Sequence, residues 1–513
     1  MLAFGSSISS SRARSTAEPS DELRVAITFP RPDRGPGLTK VVAPLSMNSV
    51  KTFAPDSLDM DRALYQLGKM GFRMTKRGRL SASVRCKRND FERTFGTRLS
   101  KFELDRGERY SSHSFYFPEQ GAPWQPDPEI ASLIDDAYIQ WPHIYMSSAS
   151  VPAPEKPASP AVPAVKPPQV DYFHLDVPGD LVAFLNAAQV RQAGGTGRGI
   201  RVAMVDTGFA HTSHPFFASH GFQSTVDLAP RAVNDKTDLN GHGTGESANV
   251  FSVAPGATFI GIKVDNDNDP QNGASLLEGF QTAMEHRPHI ITISMGYDLR
   301  DNNGQLTELP NSLAALEAEV QAAVAAGVIV IFSAGNGHFS FPGMMPDVIS
   351  AGGVFVDGNG AMQASDYASA FDSKIYSGRH VPDFCGLVGM LPHAGYLMLP
   401  VPPGSEIDRE MADPNDGQPG DETQPDDGWG AFSGTSAAAP QLAGVCALLL
   451  EKNPSLTPAD LKALLRSTAR DVLEGHANPA SSDDMRTPME SGPGDDGATG
   501  AGLVDVFAAW QRA

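Results

Sequence analysis

Three short motifs carry side chains of the kinds that nucleophilic catalysis uses. Asp206 lies in Val-Asp-Thr-Gly, His242 in Asn-Gly-His-Gly-Thr-Gly, and Ser436 in Ser-Gly-Thr-Ser-Ala-Ala-Ala-Pro. A serine hydroxyl is a poor nucleophile near neutral pH unless a base takes its proton, and a carboxylate can orient that base. Taken singly, each motif also fits a structural role, as a turn or a helix cap. Together, in the order Asp, His, Ser, they are far more specific and indicate hydrolysis by a serine nucleophile.

Other kinds of chemistry fit the sequence less well. Asp-Thr-Gly also occurs in aspartic proteases, but those enzymes need two such motifs and this chain has one. The glycines at 194–199 precede a predicted strand, whereas those of a dinucleotide-binding fingerprint follow one. Cys86, Cys385 and Cys446 are scattered, so they predict neither a disulfide framework nor a thiol nucleophile paired with histidine. The net charge of −20 argues against a nucleic acid partner, because phosphates would be repelled.

The elements that must position these motifs alternate regularly along the chain. Strands are predicted at residues 199–206, 258–264, 289–294 and 328–333, and helices at 242–253, 274–287 and 313–326. The strand sequences IRVAMV, HIITIS and VIVIFS are continuously apolar, which favours a parallel sheet buried between helices. Active groups in such sheets gather at the carboxyl ends of the strands, which is where Asp206 and Asn336 fall. Residues 402–428 and 479–497 are predicted as loops.

The surrounding sequence resembles the subtilisin-like serine peptidases, or subtilases. GRGIRVAMVDTG, NGHGT, SVAPGATFIGIKV, ITISMG, IVIFSAGN and SGTSAAAPQLAGVCALLL occur in the order expected of that family, over about residues 195–510. The resemblance implies an α/β fold, with a parallel sheet flanked by helices, and a catalytic triad of Asp206, His242 and Ser436. It also implies an oxyanion hole made by the Asn336 side-chain amide and the Ser436 backbone N–H.

The resemblance further implies where an extended substrate would bind. Ser294, Met295 and Gly296 should form an edge that pairs with the substrate backbone. Ala334 and Gly335 should help to wall the pocket for the residue before the scissile bond.

Three features depart from the family pattern or compete with it. Subtilases usually have a second histidine where this chain has Gly245, which concerns local packing because that position is not part of the triad. Residues 364–430 diverge and carry an acidic insertion. His211 and His214 could suggest a metal site, but a structural use is favoured, since His214 stands where the family often has His-Pro.

The N-terminal part is predicted to be a separate small domain. Its order of elements indicates a ferredoxin-like β-α-β-β-α-β unit, with residues 99–104 as the last strand. The sequence FERTFGT at 91–97 resembles the activation domain of sedolisin-type peptidases, which use Ser, Glu and Asp and work in acid.

The formal net charge of residues 1–150 is +4 and that of the remainder is −24, so the opposite charges should favour docking of the first part on the second. The seven prolines of residues 151–168 predict an extended linker.

These observations predict a precursor in four parts. They are a disordered tail at 1–20 (a transit peptide is the alternative), a ferredoxin-like prodomain at 21–150, a Pro-rich linker at 151–170 and a peptidase domain at 171–513.

The partners expected are protein or peptide substrates and the chain's own prodomain as an inhibitor. No cofactor is expected for the chemistry, structural calcium is possible but not assignable, and neither a secretory signal nor a membrane span is recognised. The rival hypotheses are a catalytically silent peptide-binding scaffold and an acid-active, sedolisin-like peptidase.

Overall fold

The computed structural model describes residues 20–40, 44–104, 113–145, 162–301, 304–391, 395–413, 420–478 and 488–513. All but one residue of the predicted tail at 1–20, and residues 151–161 of the predicted linker, lie outside these ranges. We call residues 20–145 the N-terminal module and residues 162–513 the body. None of the helices in the described ranges is both long and apolar enough to cross a membrane.

The N-terminal module is an antiparallel sheet covered on one face by two helices. Its elements are β1 (Glu22–Thr28), α1 (Ser57–Lys69), β2 (Arg73–Arg77), β3 (Ser81–Lys87), α2 (Arg88–Phe95), β4 (Leu99–Leu104), β5 (His113–Pro118), β6 (Asp136–Ile139) and β7 (Ile144–Tyr145). Four strands form the sheet in the order β2-β3-β1-β6. Met60 and Leu67 of α1 and Phe91 and Phe95 of α2 are buried against it, because their helical spacing puts them on one face.

The structure corrects one strand of the predicted N-terminal unit. Residues 99–104 do form a strand, but among the described strands β4 pairs only with β5, in a separate two-stranded ladder. The edge strand next to β1 is β6, which pairs with it in antiparallel orientation. The sheet therefore closes with a strand more than thirty residues further along the chain, just before the module reaches the body.

The body is built on a largely parallel sheet. Its strands are β8 (Leu175–Asp176), β9 (Arg201–Asp206), β10 (Ser224–Leu228), β11 (Thr258–Lys263), β12 (Ile290–Ile293), β13 (Met295–Asp298), β14 (Arg300–Asp301), β15 (Gly304–Gln305), β16 (Ile329–Ser333), β17 (Ser340–Phe341), β18 (Ile349–Val356), β19 (Met362–Ala364), β20 (Phe371–Asp372), β21 (His380–Val381), β22 (Phe384–Leu387), β23 (Leu397–Pro400), β24 (Trp429–Phe432), β25 (His476–Ala477) and β26 (Met489–Glu490). Eight of the described strands join in the order β10-β11-β9-β12-β16-β18-β19, with β22 also paired to β18. Every pair in this sheet is parallel except β18 with β19.

Helices cover both faces of this sheet. The helices of the body in the described ranges are α3 (Gly179–Phe184), α4 (Ala188–Gln192), α5 (Pro215–Ser219), α6 (His242–Val253), α7 (Leu276–Glu285), α8 (Ala314–Ala325), α9 (Glu406–Ala412), α10 (Thr435–Lys452), α11 (Pro458–Thr468) and α12 (Val506–Arg512). Val202 and Met204 of β9 pack in one core with α6 and α10, while Ala203 and Val205 pack in the other with α7 and α8. Because successive strand residues point to opposite faces, β9 is buried on both sides and Asp206 ends it inside the protein.

The predicted strands and helices of the body agree with the structure, with small shifts at their ends. The helix predicted at 242–253 has those bounds in the structure. The segment 402–428, predicted as a loop, contains α9, which begins after Ser405 as its N-cap. Of the loop predicted at 479–497, residues 479–487 lie outside the described ranges and β26 occupies 489–490.

The open face of the module's sheet lies on α7 and α8 of the body. Arg85 of β3 forms a buried ion pair with Glu278 of α7, with Nη2 and Oε2 2.8 Å apart. Glu319 of α8 accepts hydrogen bonds from the backbone N–H groups of Arg79, Leu80 and Ser81 at 3.0, 2.9 and 2.8 Å. The contact between the two parts therefore combines these buried polar groups with an apolar cluster in which Leu45, Phe53 and Leu80 pack on Ala318 and Ala322 of α8.

Candidate active site

Asp206 and His242 form a buried hydrogen-bonded pair. The Nδ1 of His242 lies 2.7 Å from Oδ1 of Asp206, and the two side chains are 1% and 0% exposed. Asp206 stands at the end of β9, and its Oδ1 also accepts the backbone N–H of Thr207 at 2.8 Å. A carboxylate on Nδ1 holds the proton on that nitrogen, which leaves Nε2 as the basic atom of the neutral ring.

Small residues allow the start of α6 to approach Asp206 closely. Gly241, the N-cap, has a φ of 97°, a conformation that favours glycine. A Cβ at Gly243 would lie 2.3 Å from the carbonyl oxygen of Gly208 and 2.9 Å from Cβ of Asp206. The close approach of the helix to the strand end therefore requires glycine at position 243.

A buried carboxyl that the sequence analysis did not single out ties these two elements together. Asp238 accepts hydrogen bonds from Thr207 Oγ1 at 2.9 Å, from Gly241 N at 3.0 Å, and from Thr244 N and Oγ1 at 2.9 and 2.7 Å. Burial raises the pKa of Asp238, although these donors act in the opposite direction. The signal in the sequence is an acidic residue shortly before a helix start that lacks a side-chain cap of its own.

Ser436 is the second residue of α10 and is 2% exposed. Its Oγ makes no hydrogen bond with any other described residue. Its carbonyl oxygen accepts a hydrogen bond from Ser294 Oγ at 2.9 Å, so the predicted substrate edge touches the residue predicted to be the nucleophile. The ring of Phe432, four residues earlier, lies 6.5 Å from the His242 ring between centroids.

Asn336, which follows β16 in the chain, contacts the first residue of the same helix. Its Oδ1 accepts hydrogen bonds from Thr435 N at 3.0 Å and from Thr435 Oγ1 at 3.1 Å. These two bonds fix the orientation of the amide, and a Cβ at Gly434 would lie 2.7 Å from its Nδ2. The N-cap of α10 is Gly434, which has no side chain to cap the helix, and Asn336 accepts the Thr435 N–H instead.

The predicted substrate-binding residues form two neighbouring segments. Met295 and Gly296 belong to β13, which pairs antiparallel with β7 of the N-terminal module, and Ser294 directly precedes it. Ala334 and Gly335 directly follow β16, where Gly335 N donates to Thr435 Oγ1 at 3.0 Å. The structure therefore brings both segments to the first turn of α10, beside Ser436.

The positions that depart from the family pattern have structural explanations. A side chain at Gly245 would meet the Phe432 ring, because a Cβ there would lie 2.4 Å from its Cζ. Both ring nitrogens of His211 contact serine hydroxyls, Ser224 at 2.5 Å and Ser247 at 2.8 Å, and burial lowers the pKa of His211 to about 3.

His214 has a structural role as well. Its Nδ1 accepts the Phe216 N–H at 3.2 Å, so it caps α5, and its ring packs against Trp429 at 5.0 Å between centroids. No group of three or more His, Cys, Asp or Glu residues in the described ranges could hold a metal ion.

Comparisons with known proteins identify a family. The sequence model of the subtilase family matches residues 197–502. The serine protease AprX of Bacillus subtilis (strain 168) is 30% identical over 301 residues, which cover 53% of this chain and 61% of that protein. Subtilisin E of the same organism is 27% identical over 307 residues, which cover 56% of this chain and 65% of that protein. The matched region thus spans less than two thirds of either relative.

A solved structure has the same fold. Fervidolysin from Fervidobacterium pennivorans, described as a keratinolytic enzyme related to subtilisin, superposes with a TM-score of 0.54 at 18% identity. The match covers 98% of this chain and 62% of that one. At this level of identity the likeness concerns the fold.

Proposed function

The chain belongs to the subtilase family, and we propose that it is a serine endopeptidase in which Asp206, His242 and Ser436 form the catalytic triad. The observation that carries the proposal is the buried contact of 2.7 Å between His242 Nδ1 and Asp206 Oδ1. Ser436, the third member, begins the helix that packs on α6. The residue types, their order and their convergence at one edge of the sheet all fit nucleophilic hydrolysis of a peptide bond.

In the proposed reaction, Ser436 Oγ attacks the carbonyl carbon of the scissile bond. His242 Nε2 takes the hydroxyl proton and then delivers it to the leaving amine, so that the amine departs neutral. Asp206 keeps the other ring proton on Nδ1 and stabilises the imidazolium that forms in between. Water then attacks the acyl group on Ser436 with the same histidine as base, which regenerates the enzyme.

The negative charge on the tetrahedral intermediate needs donors that are already in position. We propose the Nδ2 group of Asn336 and the backbone N–H of Ser436, the latter in the first turn of α10, where the helix dipole favours negative charge. The two hydrogen bonds from Thr435 to Asn336 Oδ1 support this role, because they prevent the amide from turning its oxygen toward the oxyanion.

An activity-based probe tests the proposal directly. A fluorophosphonate should label the chain on Ser436, as mapped by mass spectrometry, and labelling should be lost in His242→Ala and Ser436→Ala. Labelling of Ser436 without turnover of any peptide in a diverse library would favour the rival hypothesis, a scaffold that presents peptides. Absence of labelling in a folded enzyme from which the N-terminal module has been cleaved and removed would contradict the triad.

We propose in addition that the N-terminal module is an inhibitory prodomain. Three features support this: the polar contact with α7 and α8, the charge balances of +4 and −24 on the two parts of the chain, and the pairing of β7 with β13. An extended segment on that edge occupies the position that a substrate backbone would take. The sequence FERTFGT at 91–97 predicts in addition that the module is related to sedolisin activation domains.

A further inference from the structure

A second carboxyl group faces the catalytic histidine from the side opposite to Asp206. Glu246 lies one helical turn after His242 on α6 and is 1% exposed. Its Oε1 is 3.9 Å from Nε2 of His242, while Asp206 Oδ1 lies 2.7 Å from Nδ1. The imidazole is therefore buried between two carboxyl groups, one near each of its nitrogens.

Glu246 is held in this position by a chain of buried amides. Its Oε2 accepts a hydrogen bond from Asn249 Nδ2 at 2.8 Å, and Asn249 Oδ1 accepts one from Gln441 Nε2 at 3.3 Å. Gln441 belongs to α10, and its amide is bound in turn to the backbone N–H and carbonyl of Leu387 at 2.8 and 3.0 Å. The carboxyl is thus fixed between the helix that carries His242 and the helix that carries Ser436.

The charge on this carboxyl depends on the histidine. An isolated buried carboxylate is costly, and it persists only where an opposite charge or sufficient hydrogen bonds compensate it. Asn249 supplies one donor, and the imidazolium form of His242 would supply the opposite charge. A carboxylate within about 4 Å of an imidazole favours the protonated ring by about 1–3 pKa units.

We propose that Glu246 is a positioning residue that stabilises the imidazolium form of His242 and thereby sets the pH at which the triad becomes active. This inference rests on the proposed function, in which neutral His242 is the base. The titratable groups of the described residues that face the ring are Asp206 at the end of β9, Asp238 before α6, and Glu246 itself. From β24 the ring is faced by Phe432, which carries no charge.

The electrostatic environment supports the direction of the effect. Burial alone would lower the pKa of His242, but the carboxylates of Asp206, Glu246 and Asp238 outweigh it and hold that pKa above its ordinary value. Burial raises the pKa of Glu246 as well, and the positive imidazolium opposes that rise. The imidazolium also forms during acylation, so Glu246, where it is ionised, extends the inactive, protonated state of the ring to higher pH and assists the reaction where the resting ring is neutral.

The test compares charge-free and charge-retaining substitutions in the full-length chain. Glu246→Gln and Glu246→Ala should move the acid limb of the profile of kcat/KM against pH downward by about one unit or more. Glu246→Asp keeps a carboxylate near the ring, so its acid limb should stay close to that of the parent chain. Glu308→Gln removes one exposed carboxylate elsewhere and serves as the matched control, with no expected change.

A second measurement does not need activity. In the full-length Ser436→Ala chain, NMR titration of selectively labelled histidine, assigned with His242→Ala, should give a midpoint for His242 above 6.5 that falls on Glu246→Gln or Glu246→Ala. A purely structural role would lower the melting temperature without moving this midpoint. An unchanged midpoint in the folded charge-free variants, or one at or below 6.5 in the parent chain, overturns the proposal even if the peptidase assignment stands.

Discussion

Tyr145 of the N-terminal module lies opposite Met295 of β13 in an antiparallel ladder, with Ile144 opposite Gly296. Extended peptides bind to sheet edges by this kind of strand addition. Because the ladder is antiparallel, β7 runs towards the Ser294 end of β13, and Ser294 Oγ lies 2.9 Å from the carbonyl oxygen of Ser436. The last described residues of the module therefore lie on the edge that we propose for substrate binding, close to the proposed nucleophile.

From this relationship we predict self-cleavage between about Tyr145 and residue 170. The segment includes the prolines after residue 151, and exposed chain of this composition is accessible to peptidases. Intact-mass analysis and N-terminal sequencing of the purified protein should find the new terminus in this interval. The Ser436→Ala chain, prepared in the same way, should remain uncut; a fully active enzyme whose chain is never cut would contradict the prediction.

Ser436→Ala should abolish peptide cleavage and leave stability nearly unchanged. The hydroxyl is buried and makes no hydrogen bond with another described residue, so its removal leaves no polar group without its partner. We expect a change in the free energy of unfolding within about 0.5 kcal/mol. Cleavage at a rate near that of the parent chain would remove Ser436 from the mechanism.

Asn336→Ala should lower kcat by roughly 10²–10³ with little change in KM, a magnitude taken from the measured effect of losing one oxyanion-hole donor in subtilisin. Alanine also removes the acceptor for Thr435, so this variant should be less stable. Asn336→Asp is the matched control, because it keeps an acceptor for Thr435 and loses the donor. Both variants should lose kcat, and equal kcat in Asn336→Asp and the parent chain would exclude the proposed donor.

The rate should rise with pH through the titration of His242, with a midpoint above the ordinary histidine value of about 6.5. The sign follows from the chemistry: the base must be neutral, and the neighbouring carboxylates hold the pKa of His242 above its ordinary value, so more of the enzyme is inactive at neutral pH. A profile of kcat/KM from pH 4 to 10 measures this. Maximal activity near pH 4 would instead support the acid-active, sedolisin-like hypothesis.

Much of the fold and site follows from local patterns in the sequence. The apolar run before Asp206 predicted β9, and the helix predicted at 242–253 has the bounds of α6. The start of helix α11 also has a local signal in the sequence, a capping box formed by Thr457 and Asp460.

The features that the sequence did not predict depend on tertiary contacts. Residues 99–104 and 136–139 both have strand-like sequences, and only packing decides that β6 joins the module's sheet. In the sequence, Asp238 and Glu246 resemble ordinary surface carboxylates. In the structure, Asp238 is buried and accepts four hydrogen bonds, and Glu246 is buried beside His242. The position of Asp238 shortly before an uncapped helix start is a local signal, but the contacts of the two residues depend on tertiary packing.

The N-terminal module, expressed separately, should inhibit the mature enzyme in trans. Its binding depends on Arg85, which is fully buried and contacts Glu278 through Nη2 at 2.8 Å and Nε at 3.1 Å. Arg85→Met in the module would leave the Glu278 carboxylate buried without its partner, so the inhibition constant should rise about 30-fold or more. Arg62→Met, on the exposed surface of α1, is the control and should leave inhibition unchanged.

Salt should act mainly on the rate of association. The Arg85–Glu278 pair is 0% and 1% exposed, so ions in solution screen it little, whereas Glu285 of the Lys76–Glu285 pair is 52% exposed. The long-range attraction between residues 1–150, with a balance of +4, and the more acidic remainder of the chain is screened as well. Raising the salt concentration should therefore slow association measured by stopped-flow or surface plasmon resonance and change dissociation little. If salt changed the dissociation rate and left association untouched, steering by opposite charge would be excluded; no inhibition in trans at any salt concentration would leave the module as a recognition or targeting domain.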